Sequence, residues 1–314
     1  MIKNVTKSDG TLEPFNPEKL NKWAEFASGH DVDWSAIALE ATRKCYDGCT
    51  TSELHKAMID ACVEREDHKH LKMAGKLLAG QIYKEAFGGF RKIPPLIDFY
   101  FKMVLLNHWE RMDYSPVEIA ELDSVIDHST DLTYNYTTLH QMRDKYLIKN
   151  RVENRVLESP QFMFMGMAMQ NMQNQPKERR IKDVIKLYKY LNELKINTPT
   201  PMLVNMRTPH KGYASCCVYT TGDNVESLAV GDHIAYMMTC ASAGIGSHLL
   251  TRSKGDPVKE GRVVHQGKLP YYRMIQSSTH ANMQASRGGA ATVYFNVLDP
   301  EIFDLLVLKN PTTV

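Results

Sequence analysis

The chain has 314 residues, 43% hydrophobic and 24% charged, and a formal net charge of +2. This length and apolar content allow about two or three domains around a sizeable core, while the near balance of charge gives no global pull towards nucleic acid or a membrane surface. The opening MIKNVTKSDGTLEPF has no apolar signal core, and nowhere do about 18 uninterrupted apolar residues occur to form a membrane span, so the expectation is a cytoplasmic protein with reduced cysteines.

In chain order, residues 1–15 read as two short strands around the turn SDG, a hairpin signal. NPEKLNKWAEFAS follows with Pro17 in its first turn, TTSELHKAMIDACVER opens with a Thr50-to-Glu53 capping box, and residues 71–88 carry a broad apolar helical face. GGFRKIPP at 88–95 breaks that pattern, placing a boundary near 92. A mainly helical stretch then runs to about 195. Beyond it, the β-like runs YASCCVYTT, GIGSHLL and ATVYFNVL alternate with helical segments at 223–243, 269–283 and 299–308. That alternation predicts βαβ units and a parallel sheet.

Several tempting features have plain readings. FMFMGMAMQNM at 162–172 is a packed helix filled by adaptable methionines rather than a soft-metal site. PKERRIKDVIK at 176–186 reads as a solvated helix face, and so do His68 and His70. Cys45 and Cys49 read as thiols at a helix end. No C-x₂-C pair occurs, and no residue is expected to bind a metal.

The adjacent cysteines of HKGYASCCVYTTGD, residues 210–223, pose a chemical question. Consecutive Cα atoms lie about 3.8 Å apart, short of the roughly 4.4–6.8 Å that an unstrained disulfide spans. Any redox partner must come from elsewhere.

Two sets of segments carry family resemblances. VTKSDGTLEPFNPEKL, TSELH at 51–55 and YKEAFG at 83–88 together resemble the ATP-cone, a regulatory nucleotide-binding domain of four helices capped by a small β-sheet, over about residues 1–92. The resemblance implies ATP or dATP contacts at Lys7, Glu13, Asn16, Lys19, Thr51, His55 and Lys84. Lysines supply point charge to phosphate and a carboxylate accepts from ribose or base, which suits these residue types.

From Thr198 onwards, NTPTPMLVNMRTP, YASCCV, SAGIGSH, TRSKGDPV and SRGGAATVYFNVLDPEIFDLLVLKN resemble, in order, the large subunit of class I ribonucleotide reductase, nearer a phage type than a bacterial one. DLTYNY, KYLIKNR and ESPQF in the helical stretch agree. The resemblance implies an α+β region followed by α/β: a cone at 1–92, a helical domain at 93–197 and, at 198–314, the first part of a ten-stranded reductase barrel. It implies reduction of ribonucleoside diphosphates by radical chemistry with a redox-active cysteine pair, regulated by nucleoside triphosphate effectors. One reducing thiol falls on Cys216 after Ser215, while Cys217 stands where the family usually has an aliphatic residue. Strand alternation separates the two. Thr200, Ser215, Gly244 and Arg287 would join Cys216 at the substrate, and Asp223, Arg252 and Lys259 would form the specificity site. Asp223 also has the sequence of an N-cap with Glu226 at N3. At Lys259 the family often has arginine, and NMQAS departs from its usual Gln-Gly-Gly spacing before Arg287, which leaves Gln284 without a transferred role.

The family's other redox cysteine, its radical cysteine, its tyrosine pair and its C-terminal cysteines belong beyond residue 314. The expected partners are therefore a companion chain with the C-terminal half, a small subunit bearing the metal-radical centre, and thioredoxin or glutaredoxin as reductant, with self-association. The isolated chain is expected to be inactive, and to reside in host cytoplasm if phage-encoded. The alternative is a nucleotide sensor that uses the cone without catalysis. A cone-bearing transcription factor would need a zinc ribbon, and the SCCV and RGGAAT contexts favour class I over a glycyl-radical reductase.

Overall fold

The structure is a computed structural model that describes residues 2–29, 31–241, 243–281 and 289–308. Two compact units divide it: residues 1–198 with 203–211, and residues 199–202 with 212–314. The expected boundary near 92 lies inside the first unit.

The first unit opens with the expected hairpin, β1 (Asn4–Thr6) antiparallel to β2 (Leu12–Pro14) with Val5 opposite Glu13. Helices α1 (Pro17–Ser28), α2 (Trp34–Lys44), α3 (Thr51–Val63) and α4 (His68–Phe87) follow. Local chemistry sets their ends. The Asn16 side chain accepts from the Glu18 N–H at 2.8 Å ahead of Pro17, and the Thr50–Glu53 capping box forms as the sequence predicts. At the end of α4, Gly88 takes φ 83°, which lets its own N–H reach the Lys84 carbonyl and the Gly89 N–H reach that of Tyr83. A side chain would be strained in this left-handed turn.

Helices α5 (Leu96–Leu105), α6 (Pro116–Asp123), α7 (Tyr136–Gln141), α8 (Pro160–Met172) and α9 (Lys177–Asn192) complete the unit with the short pair β3 (Lys149–Asn150) and β4 (Arg155–Val156). Met163, Met165, Met167 and Met169 of α8 are all buried, so these sulfurs are core filler. One sequence expectation fails on α9. Arg180 is not on a solvated face: it is 2% exposed, lies 4.4 Å over the Tyr114 ring and donates to Glu118 at 2.6 Å. Its long apolar stem and a paired head make that burial tolerable.

Two polar clusters hold the interior. Arg207 and Glu158 are both fully buried and paired; Arg207 Nε lies 3.1 Å from Glu158, and its other nitrogens donate to the carbonyls of Leu203, Met206 and Tyr146. Glu158 also accepts from Trp109 Nε1 and the Ile148 N–H, so neither charge is left unsatisfied. In the second cluster Asp131 accepts from the Tyr83 hydroxyl at 2.7 Å and the Gln161 amide at 2.6 Å, and His128 Nδ1 is 3.0 Å from the same hydroxyl.

Burial pushes the Asp131 carboxyl up to about 7 and holds His128 down to about 4. The signs oppose. Asp131 contributes stability that is complete below the ordinary aspartate range and is lost as pH rises through 7; His128 contributes stability that is complete above its ordinary value and is lost as pH falls towards 4. Asp131→Asn removes only the first dependence. Wild type should therefore lose at least about 1 kcal/mol relative to Asp131→Asn between pH 5 and 8 in denaturant titrations, since each tenfold difference in proton affinity between folded and unfolded chain is worth about 1.4 kcal/mol. A gap that does not change with pH would mean Asp131 titrates normally.

The second unit contains the beginning of α10 (Thr200–Asn205) and a parallel sheet ordered β5 (Cys216–Thr221), β6 (Gly244–Leu249), β9 (Ala291–Tyr294). Helix α11 (Val225–Cys240) links β5 to β6. The return from β6 to β9 contains the small hairpin β7 (Pro257–Val258) with β8 (Val263–Val264), then α12 (Leu269–His280). A short α13 (Ile302–Leu306) follows β9. The predicted alternation of strand and helix is thus present. Ala235, Ile245, Leu249, Tyr272, Ile275 and Leu305 form the core on one side of the sheet.

Candidate functional sites

The hairpin, α1, α3 and α4 converge on two adjoining cavities of the first unit. The smaller, about 210 Å³, is lined by Lys7, Glu13, Asn16, Lys19, Thr51, His55 and Lys84. All seven residues assigned from the cone resemblance thus share one wall. Glu13 forms ion pairs with Lys7 and, at 3.8 Å, with Lys19. These cations hold its carboxyl below the usual carboxylate range, with Lys7 the larger influence. His55 lies edge-on to Trp23, with centroids 5.9 Å apart, and its Nε2 is 2.8 Å from the Leu77 carbonyl. Donation to that carbonyl assigns the proton to Nε2 and leaves Nδ1 as an acceptor. Burial lowers the pKa of His55, so the ring is neutral near pH 7. Positive charge here comes from lysines. Trp23 lines both cavities as well, and its one signal in the sequence is its place a helical turn after Lys19.

In the second unit, the β5 pleat sends the adjacent thiols to opposite faces. Cys217 turns inward, its sulfur 3.4 Å from Met238 Sδ and packed against the core. Cys216 is exposed on the other face, 3.8 Å from Ser215 Oγ and directly opposite Gly244 in the register. A Cβ on Gly244 would sit 3.7 Å from the Cys216 sulfur. Glycine therefore keeps the space beside the thiol clear. The structure brings Ser215 and Gly244 to Cys216. Thr200 opens α10 in the same unit, while Arg287 and Gln284 lie outside the described residues.

Asp223 and Arg252 meet directly: Nη2 is 2.9 Å and Nε 3.0 Å from Oδ2, and the Arg252 backbone N–H donates to Oδ1 at 3.1 Å. The guanidinium holds the Asp223 carboxyl below the usual range. The N-cap expected at Asp223 is instead Asn224, which accepts from the Ser227 N–H at 2.8 Å. Asp223 is free of that duty because its carboxylate turns to Arg252. Lys259 is exposed in the turn between β7 and β8, with φ 51°.

A family model described as "Ribonucleotide reductase, all-alpha domain" matches residues 132–211, and one described as "Ribonucleotide reductase, barrel domain" matches residues 214–314. The chain belongs to the ribonucleotide reductase large-subunit family. Among relatives of that family, the ribonucleoside-diphosphate reductase 1 subunit alpha of Escherichia coli K12 is 32% identical over 98% of this chain and 41% of its own length. The ribonucleoside-diphosphate reductase subunit alpha of Enterobacteria phage T4 is also 32% identical, over 98% of this chain and 42% of its own length. Equal identity gives no preference for a phage type over a bacterial type. The Helicobacter pylori subunit alpha is 26% identical across 98% of this chain. The chain spans about two-fifths of the length of these relatives. The reductase barrel model covers β5, β6 and β9, so the strand bearing Cys216 lies within the matched barrel domain. Among the described residues, no cluster of three or more His, Cys, Asp or Glu is placed to hold a metal ion, and no helix is long and apolar enough to cross a membrane.

Proposed function

We propose that this chain supplies one reducing thiol, Cys216, and the nucleotide-regulated part of a ribonucleoside-diphosphate reductase. The observation that carries this reading is the division of the cysteine pair: the Cys216 sulfur is open beside Ser215 and Gly244, while the Cys217 sulfur is closed against Met238.

The chemistry asks for such a thiol. Replacement of the ribose 2′-hydroxyl by hydrogen consumes two electrons and two protons and releases water; two thiols becoming one disulfide supply both. Cys216 is one of them. The second thiol and the thiol that carries the radical come from a companion chain with the remaining barrel, the radical originates at the metal centre of a small subunit, and thioredoxin or glutaredoxin resets the disulfide. Residues 1–92 act as an ATP-cone and 93–197 as the helical domain leading to the barrel. ATP or dATP occupies the Lys7, Thr51, His55 and Lys84 wall, and Asp223, Arg252 and Lys259 receive the specificity effector. The clustering of the cone residues around one cavity supports the first assignment, and the Asp223–Arg252 pair the second.

Reconstitution tests the reading. This chain with the small subunit and a dithiol should form no deoxyribonucleotide above background, and addition of a chain carrying the rest of a large subunit should produce turnover and co-purify with it. Reduction without that chain refutes the division of labour. Nucleotide binding with no activity in any combination favours the sensor reading, which needs only the cavity of the first unit.

A further inference from the structure

The larger of the two cavities, about 820 Å³, shares Lys7, Trp23, Thr51, His55 and Lys84 with the smaller one and continues past them. Its far wall is outside the segment that resembles a cone, or at its very end. Lys92, Lys102 and Arg155 line it, from the turn after α4, from α5 and from β4.

The fold brings these cations together for identifiable reasons. The left-handed turn at Gly88 reverses the chain after α4, Phe90 stacks on Tyr83 with centroids 3.9 Å apart, and the Lys92 side chain folds back to within 3.3 Å of where a Gly88 Cβ would be. Arg155 is anchored at the same helix end by donation to the Glu85 carbonyl at 3.3 Å and shares its charge with Glu153 at 2.9 Å. Two acids line the same cavity. The Glu85 carboxylate is already engaged by Arg143 at 2.9 Å, by Gln81 and by the Val156 N–H, and Asp98 lies one turn before Lys102 on α5. Five cationic side chains, Lys7, Lys84, Lys92, Lys102 and Arg155, thus line a space with two acids; Glu85 is paired with Arg143, and of the cations Lys7 is paired with Glu13 and Arg155 with Glu153, which leaves the three lysines Lys84, Lys92 and Lys102 facing Asp98 among the described residues. A polyanion is the ligand class that such a wall accepts.

We propose that the polyphosphate of the cone's effector leaves the small cavity past Lys84 and is received by Lys92, Lys102 and Arg155, so that the triphosphate ties residues 1–92 to the helical segment that follows. This rests on the assignment of the small cavity to a nucleotide. The cone residues hold the nucleoside and the first phosphate, with Lys7 and Lys84 at the junction of the two cavities, and the outer phosphates are read by residues beyond them. Regulation by triphosphates rather than monophosphates follows from where the cations stand.

Calorimetry on the full chain with ATP and with AMP tests this, comparing wild type, Lys84→Ala and the triple variant Lys92→Gln, Lys102→Gln, Arg155→Gln, each first shown to melt as wild type does. A destabilised triple variant is replaced by Lys92→Gln with Lys102→Gln, which spares the Arg155 pairing to Glu153. Wild type should prefer ATP, and the variant should lose about tenfold or more in ATP affinity with AMP affinity unchanged. An unaltered ATP-to-AMP ratio in a folded variant overturns the proposal while Lys84→Ala, by losing ATP, keeps the cone reading. Absence of nucleotide binding by wild type overturns both. Two nucleotides per chain, with only the second lost in the variant, also overturns it, because the far wall would then serve a separate molecule.

Discussion

Cys216→Ser in the assembled enzyme is expected to reduce sustained turnover with a dithiol reductant to below about a thousandth of the wild-type rate, whereas Cys217→Ser should retain most of it. A serine hydroxyl in place of the reducing thiol cannot complete the disulfide, so no electrons reach the sugar. The proposal gives Cys217 no such role. Its sulfur is a packing element against Met238, and serine there costs apolar burial rather than chemistry. The measurement is deoxyribonucleotide formed per active enzyme, in parallel with alkylation of the folded chain. Cys216, being exposed, should be labelled before Cys217. Exchanged phenotypes would mean that the strand presents its other face to the substrate.

Removal of either buried charge in the Arg207–Glu158 pair is expected to cost the first unit about 3–5 kcal/mol, a Tm lower by about 10 °C. Glu158→Ala strands a guanidinium that is fully buried and whose remaining partners are backbone carbonyls. Arg207→Met strands a carboxylate that, among the described residues, retains Trp109 and the Ile148 N–H. The double variant should cost much less than the sum, because no charge is then left alone. Additive losses in thermal or denaturant unfolding would show that the two residues act independently. Arg207 also takes φ 74°, so part of each loss at that position reflects backbone geometry held by the side-chain bonds.

Much of the architecture was legible because local chemistry dictates it. Asn16 before Pro17, Thr50 with Glu53, and Gly88 after the last turn of α4 are end signals that act within a few residues. Period-two patterning likewise separates Cys216 from Cys217. What escaped was non-local. Arg180 sits in a run that reads as solvated, and only the aromatic face of Tyr114 and the carboxylate of Glu118, some 60 residues earlier, make its burial tolerable. Asp223 carries a cap signature, yet Arg252, 29 residues later, takes its carboxylate and leaves capping to Asn224. The same holds for the site: the residues of the cone resemblance were recognisable as a set, while Lys92, Lys102 and Arg155 reach the adjoining cavity from the turn after α4, from α5 and from β4, places that only the tertiary fold brings together. Asp131 gave no sign either, since nothing near it in sequence announces Tyr83 or Gln161 as its partners.

If Cys216 is the reducing thiol proposed above, the opposed orientation of the two thiols also keeps it apart from its neighbour. A dithiol reagent that oxidises readily is most easily wasted by whichever sulfur lies nearest, and here the nearest in sequence is one peptide bond away. Because β5 points Cys217 into the core and Cys216 away from it, the pleat works as an insulator between neighbours. On the proposed role of Cys216 as a reducing thiol, its disulfide partner has to be a sulfur brought to the open face from outside this strand.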